Sequence, residues 1–306
     1  MSRLYLSHFG LNEAPFSITP NPAYFFAASG RGPLLQALAY SVSAEEGIVT
    51  VVGEVGSGKT MLCRMLLETL PVDVDSIYLS NPSFAPGEVL DAIAADLGLP
   101  RAQVGDAPGS RLGWLQEALI RRHADGRRVV LIVDEAHAMP PASLEEVRLL
   151  SNLETSHHKL LQIVLFGQPE LDQVLARPDL RQLRDRIVQR FDLCPLARDD
   201  ARDYLSFRLQ VAGRRDGFPF EPAAVRDLWK EARGLTRRIN LLADKALMSA
   251  FARNAAHVSR ADVKRAVGDL PAAVSRTHPW WRRLSLSAAL AALMAVAVVG
   301  LAWLRG

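Results

Sequence analysis

The sequence predicts an α/β protein built on a five-stranded parallel sheet, followed by a small helical unit and a long apolar carboxyl-terminal segment. Three observations carry this. Apolar runs at 48 to 52, about 76 to 80, 129 to 133, 161 to 166 and about 188 to 193 alternate with amphipathic stretches, the pattern of strands joined by crossover helices. After Pro195 the strand signals stop, and segments near 199 to 212, 222 to 232, 236 to 253 and 260 to 267 show helical periodicity with Gly and Pro between them. The span Leu286 to Leu304 carries no charge and one Ser, close to the ~20 apolar residues that a helix needs to cross a bilayer.

The first strand, Ile48 to Val52, runs into Gly53-Glu54-Val55-Gly56-Ser57-Gly58-Lys59-Thr60, the P-loop pattern, with Met61 next in the following helix. Glycines let successive backbone N–H groups face one anion, and the helix beginning near Gly58 adds the positive end of its dipole. ATP is the expected ligand. Lys59 is expected to bridge β- and γ-phosphate oxygens, and the Thr60 hydroxyl to occupy one Mg²⁺ position. The alternative is a glycine turn with a surface lysine, and the strand, loop and helix order argues against it.

The third strand, within Arg127 to Val133, ends in Asp134-Glu135, placing two carboxylates at the carboxyl edge of a parallel sheet, where α/β ligands bind. This is a Walker B pattern. Asp134 is expected to hold Mg²⁺, and Glu135 to polarise the water that attacks the γ-phosphorus. The run continues Ala136-His137, which spells a DEAH box. A helicase also needs a second RecA-like domain, which the helical 197 to 270 segment does not supply, so the box is read as coincidence.

Gln168 follows the fourth strand, where a polar side chain meets the γ-phosphate or the attacking water; a polar strand end is the alternative. Arg184, Arg186 and Arg190 line the segment around the fifth strand, and one of them is expected to reach a neighbouring subunit's γ-phosphate, against the alternative of a solvated charge run. Arg237 and Arg238 open a helix of the second unit, from which one folds back over the nucleotide or packs at the helix end.

These pieces resemble the AAA+ ATPases of the general secretion pathway GspA/ExeA type and the related pilus biogenesis ATPases of the MshM type. The resemblance spans roughly residues 4 to 255 and rests on Tyr5 to Leu11, Pro15 to Pro20, Gly53 to Thr60, Asn152 to Glu154, Lys159 to Leu171 and Gly234 to Asn240. It implies an AAA+ P-loop NTPase fold, ATP with Mg²⁺, and a homo-oligomer. It also implies Gln168 as sensor 1, Arg237 as the sensor 2 arginine, Arg186 as the arginine finger, and the Phe9 to Phe16 segment beside the adenine. At position 137 the family usually carries Gln where this chain has His. Secretion-type members often carry a peptidoglycan-binding domain after the membrane helix; here Arg305 and Gly306 alone follow, so no cell-wall role is expected.

The expected organisation is a P-loop core at 1–196, a helical lid at 197–270, a basic linker at 271–283 and a transmembrane helix at 284–304. Trp280, Trp281 and Trp303 suit the bilayer interfaces, and Arg276, Arg282 and Arg283 outnumber Arg305, which places the bulk of the chain on the cytoplasmic side of the inner membrane. Over 306 residues the net charge is only +3, so nucleic acid is not an expected partner. Cys63 and Cys194 lack metal-ligand spacing and read as core thiols. The function expected is ATP hydrolysis that drives an envelope assembly, a type IV pilus relative or a secretion apparatus. Two alternatives stay open: a DNA-acting ATPase such as a transposition regulator, and a nucleotide-gated scaffold for exopolysaccharide export.

Overall fold

A computed structural model describes residues 4–44, 47–80, 87–99, 108–156 and 158–270. Strands β1 (Ile48–Val52), β2 (Val74–Leu79), β3 (Arg128–Val133), β4 (Gln162–Gly167) and β5 (Ile187–Asp192) pair in parallel in the order β2-β3-β4-β1-β5. All five lie within a residue or two of the expected runs. Helix α1 (Arg31–Ser43) precedes β1, and the helices between the strands are α2 (Lys59–Thr69), α3 (Glu88–Asp96), α4 (Pro108–Ala124), α5 (Pro141–Leu150), α6 (Glu170–Leu175) and α7 (Arg181–Arg184). Beyond the sheet come α8 (Ala201–Val211), α9 (Pro222–Ala232), α10 (Thr236–Ala252) and α11 (Arg260–Gly268), each close to a predicted helix.

Alternation along the central strands explains why they read as continuous apolar runs. In β3, Val129, Leu131 and Val133 enter one core with Leu115, Leu119, Leu144 and Val147, whereas Val130 and Ile132 enter another with Leu35, Leu38, Leu62 and Leu66. A parallel strand covered by helices on both faces has no side facing water, so no polar residue is selected on either. At the edge, β5 alternates half-buried and exposed positions.

Spatial order differs from chain order, and this positions the site. Strand β4 lies between β1 and β3, so the segments leaving the carboxyl ends of β1, β4 and β3 emerge side by side. They begin with Gly53, Gln168 and Asp134.

A third core joins the amino-terminal segment to the helices after the sheet. Tyr5, Phe9, Leu11, Phe16 and Tyr24 are buried with Leu205, Leu228, Ile239, Leu242 and Val258 of the carboxyl-terminal helices. The amino-terminal aromatics therefore pack with residues after 196, across the expected domain boundary. Side chains of this size contribute ~2 kcal/mol or more each on burial.

Among the described residues no helix is long and apolar enough to cross a membrane. The expected linker at 271–283 and membrane helix at 284–304 lie outside the described residues. Cys63 is buried as expected, but Cys194 is exposed, because it lies beyond the last paired residue of the edge strand.

Candidate active site

The P-loop owes its shape to two glycines in the left-handed region, Gly56 at φ 79° and Gly58 at φ 109°. A side chain at Gly56 is also excluded by space, since a Cβ there would lie 2.9 Å from the Cβ of Arg237. Gly58 caps α2, whose first residue, Lys59, is only 4 % exposed. Lys59 Nζ donates to the carbonyls of Gly53 (2.8 Å) and Glu54 (3.2 Å), folding back along its own loop. Burial pushes the Lys59 ammonium below its ordinary pKa, and the carboxylates of Glu135, Asp134, Glu54 and Glu170 oppose that shift. Ser57 Oγ is buried and has no hydrogen-bond partner. A loop with two left-handed glycines, an enclosed ammonium and an unsatisfied buried hydroxyl fits a phosphate chain.

Thr60 Oγ1 donates to Asp134 Oδ2 at 3.0 Å, and Tyr78 Oη reaches the same oxygen at 3.3 Å. The backbone N–H of Glu135 donates to Asp134 Oδ1 at 2.9 Å. Tyr78 and Cys63 stand beside this carboxylate, and burial raises the pKa of both, so both stay protonated at neutral pH. The pairing of Thr60 with an acidic oxygen is the donor set a hard divalent cation takes, so these residues fit Mg²⁺.

After Asp134 the backbone turns sharply. Glu135 has φ 53°, unusual for a residue with a side chain, and it precedes a single 3₁₀ turn at Ala136–Ala138. Gln168 Nε2 donates to Glu135 Oε2 at 2.9 Å, uniting the ends of β3 and β4.

Above the P-loop lies a cavity of ≈ 360 Å³ whose walls include Ser17, Pro20, Lys59, Glu135, Arg237 and Asn240. Helix α10 docks directly on the loop, with Arg237 N–H and Thr236 Oγ1 both donating to Gly56 O at 3.0 Å. The Arg237 side chain lines the cavity; that of Arg238 does not, and its Nε is buried without a partner.

Several expectations change here. Phe9 and Phe16 face the third core, so the cavity wall begins at Ser17 and includes Tyr24, Phe25 and Phe26 instead. Arg190 is held by Asp172 and by Asp192 (2.7 Å), which ties it to its own chain. Arg184 is exposed. Arg186 precedes β5, where its carbonyl accepts from Ile48 N–H (3.2 Å) and its Nη1 donates to Ser151 O (3.4 Å). It therefore stands at the amino end of β1, about 16 Å along the strand from the P-loop that leaves the other end.

Sequence reasoning missed Arg31 and Arg208. The Arg31 guanidinium, 7 % exposed, donates to Ser57 O at 3.3 Å, and burial lowers its pKa. Arg208 donates to Pro15 O (2.6 Å) and Ser17 O (3.2 Å) and lies over the Tyr24 ring, pinning the amino-terminal wall to α8. Neither sits in a motif; each acts across 26 or more positions of sequence, which no local pattern signals.

Residues 42–175 match the family described as "AAA domain". Over 302 residues, 98 % of this chain, the sequence is 41 % identical to "General secretion pathway protein A" from Aeromonas hydrophila. The chain is an AAA+ protein of the general secretion pathway A type. It spans about half the length of that curated relative, 54 %.

The AAA+ fold extends to distant solved structures. Cdc6p from Pyrobaculum aerophilum superposes with a TM-score of 0.64 at 20 % identity, over 82 % of this chain and 69 % of that one. The Aeropyrum pernix ORC2 protein, solved as ADPNP-ADP complexes, gives 0.61 at 17 % identity, over 84 % and 72 %. The Thermotoga maritima RuvB branch migration motor gives 0.53 at 16 % identity, over 78 % and 69 %. At these identities the likeness is one of fold. For an AAA+ protein of this type the fold implies a bound nucleotide.

Proposed function

We propose that this AAA+ protein binds and hydrolyses ATP at the Gly53–Met61 loop and, anchored in the inner membrane by residues 284–304, drives assembly of a secretion or pilus-type envelope apparatus. One observation supports the chemistry above all: Lys59, Glu135 and Arg237, drawn from three separate segments, border one cavity.

The backbone N–H groups from Gly56 to Thr60 receive the phosphate oxygens, and Lys59 holds the β- and γ-phosphates. Thr60 and Asp134 hold Mg²⁺, which when bound withdraws charge from the transferring phosphoryl. Glu135 takes up the proton of the attacking water, and Gln168 fixes the direction of the Glu135 carboxylate. Arg186, which stands at the end of β1 opposite its own P-loop, serves the site of an adjacent copy, so turnover requires an oligomer. Arg237, on the helix that docks on Gly56, transmits nucleotide state to α8–α11 and to the apparatus beyond.

The envelope role draws on the 41 % identity to a general secretion pathway protein, and the anchor on the apolar span Leu286 to Leu304. The full chain in lipid nanodiscs should bind Mg-ATP and release phosphate. Glu135→Gln should retain bound ATP unhydrolysed, and Lys59→Ala should bind none. Wild-type turnover in either variant would remove the assignment. Carbonate should fail to extract the full chain from inner-membrane vesicles; extraction would remove the anchor without touching the ATPase.

A further inference from the structure

The ring of His137, two residues after Glu135, has a defined place. The backbone N–H of Gln168 donates to His137 Nδ1 at 3.4 Å, while His137 Nε2 lies 3.5 Å from Glu135 Oε2. The same carboxylate oxygen accepts the amide of Gln168 at 2.9 Å. Three side chains from the ends of β3 and β4 thus form a closed loop: Glu135 to the Gln168 amide, Gln168 main chain to His137, and His137 back to Glu135.

A ring nitrogen that accepts from a backbone N–H carries no proton, so the neutral imidazole has its proton on Nε2, the atom facing Glu135. The Gln168 amide and His137 Nε2 then both lie on the Oε2 side of Glu135, at 2.9 and 3.5 Å. The ring is more enclosed than the carboxylate it meets, with side-chain exposures of 15 % and 38 %. Its position depends on the left-handed backbone of Glu135, which starts the 3₁₀ turn carrying His137. Backbone strain of this kind persists only where surrounding contacts over-determine it.

We infer that His137 is a positioning residue for Glu135, fixing the carboxylate from one side as Gln168 fixes it from the other; this rests on the assignment of Glu135 as the group that activates water. An imidazole held this way and a glutamine amide can each offer an acceptor to one neighbour and a donor to another.

The test measures ATP turnover and ATP affinity on the full chain in nanodiscs for wild type, His137→Leu, His137→Gln, His137→Glu and Glu135→Gln. His137→Leu should lower kcat by about tenfold with KM within a factor of two, because only orientation in the reacting state is lost. His137→Gln should recover most of that loss. His137→Glu matches Gln in shape but is acceptor-only at neutral pH and places a second carboxylate beside Glu135, so it should be at least as slow as His137→Leu. Equal kcat in His137→Gln and His137→Glu, or wild-type kcat in His137→Leu, overturns the inference. Should His137→Leu fail to bind ATP, the Gln and Glu pair alone decides. Absence of turnover in wild type, or wild-type turnover in Glu135→Gln, would instead defeat the assignment of the reaction.

Discussion

Thr60 Oγ1 and Asp134 Oδ2 lie 3.0 Å apart across 74 positions of sequence, joining the first turn of α2 to the end of β3. Strand β4 separates β1 from β3, so this bond joins segments that follow two strands not paired with each other. It unites the two motifs into one site, and the charge arrangement around it leads to the first expectation.

Lys59 is a buried ammonium whose pKa is lowered chiefly by desolvation. A folded pKa below the unfolded 10.5 means that the unfolded chain binds more protons in that window, so the cost of burying the charge is relieved as pH rises through it. Lys59→Met should therefore lose ATP binding while melting at least as high as wild type without nucleotide at pH 7. The difference in Tm should shrink as pH climbs toward 10.5. Calorimetry across that range checks both signs.

Gly56→Ala meets two obstacles, a φ of 79° and the Cβ of Arg237 at 2.9 Å. The left-handed backbone alone costs about 1–2 kcal/mol for a residue with a Cβ. The contact should push α10 off the loop, so ATP affinity should fall by tenfold or more while the sheet stays folded. Titration calorimetry and circular dichroism on the same sample separate the two effects.

Asp262 is fully buried and receives Ser249, Arg253 and Ser259, with Ser259 and Asp262 forming a capping box at the start of α11. Burial pushes its carboxyl up, but the hydrogen bonds from Arg253 and Ser259 prevail and hold it well below the usual carboxylate range. Its folded pKa is thus depressed, and the stability it contributes is present above pH 3.8 and lost as pH falls below that value. Asp262→Ala should destabilise the carboxyl-terminal helices by about 1–2 kcal/mol, the usual loss when a helix cap is removed, because the arginines left behind reach solvent. Urea denaturation at pH 7 measures it.

Arg186→Ala and Glu135→Gln should each bind ATP and fail to turn it over. Mixing the two proteins should restore part of the activity, at interfaces that pair an intact Glu135 with an intact Arg186. A finger arginine contributes roughly 10³ or more in rate, whereas a surface arginine contributes almost nothing, so the outcomes are well separated. No recovery on mixing, or full turnover by Arg186→Ala alone, removes the role; in the second case Arg184 is next, since Arg190 is already paired.

What the sequence determined by itself is local and covalently ordered. The strand, glycine loop and helix of Ile48 to Thr69, and the apolar strand that ends in Asp134 and Glu135, each declare their geometry within one short continuous segment, because backbone conformation and burial on both faces leave few alternatives. The carboxyl-terminal helices were legible for the same reason. What only the tertiary structure decided depends on spatial order. That β4 lies between β1 and β3 brings Gln168 to Glu135. That Phe9 and Phe16 belong to the core of the carboxyl-terminal helices moves the cavity wall to Ser17. The contacts of Arg31 with Ser57, Arg208 with Pro15 and His137 with Glu135 and Gln168 leave no periodic mark. An arginine or histidine has the same local propensities whether it faces water or a neighbouring element, so its role emerges only once packing has chosen its partner.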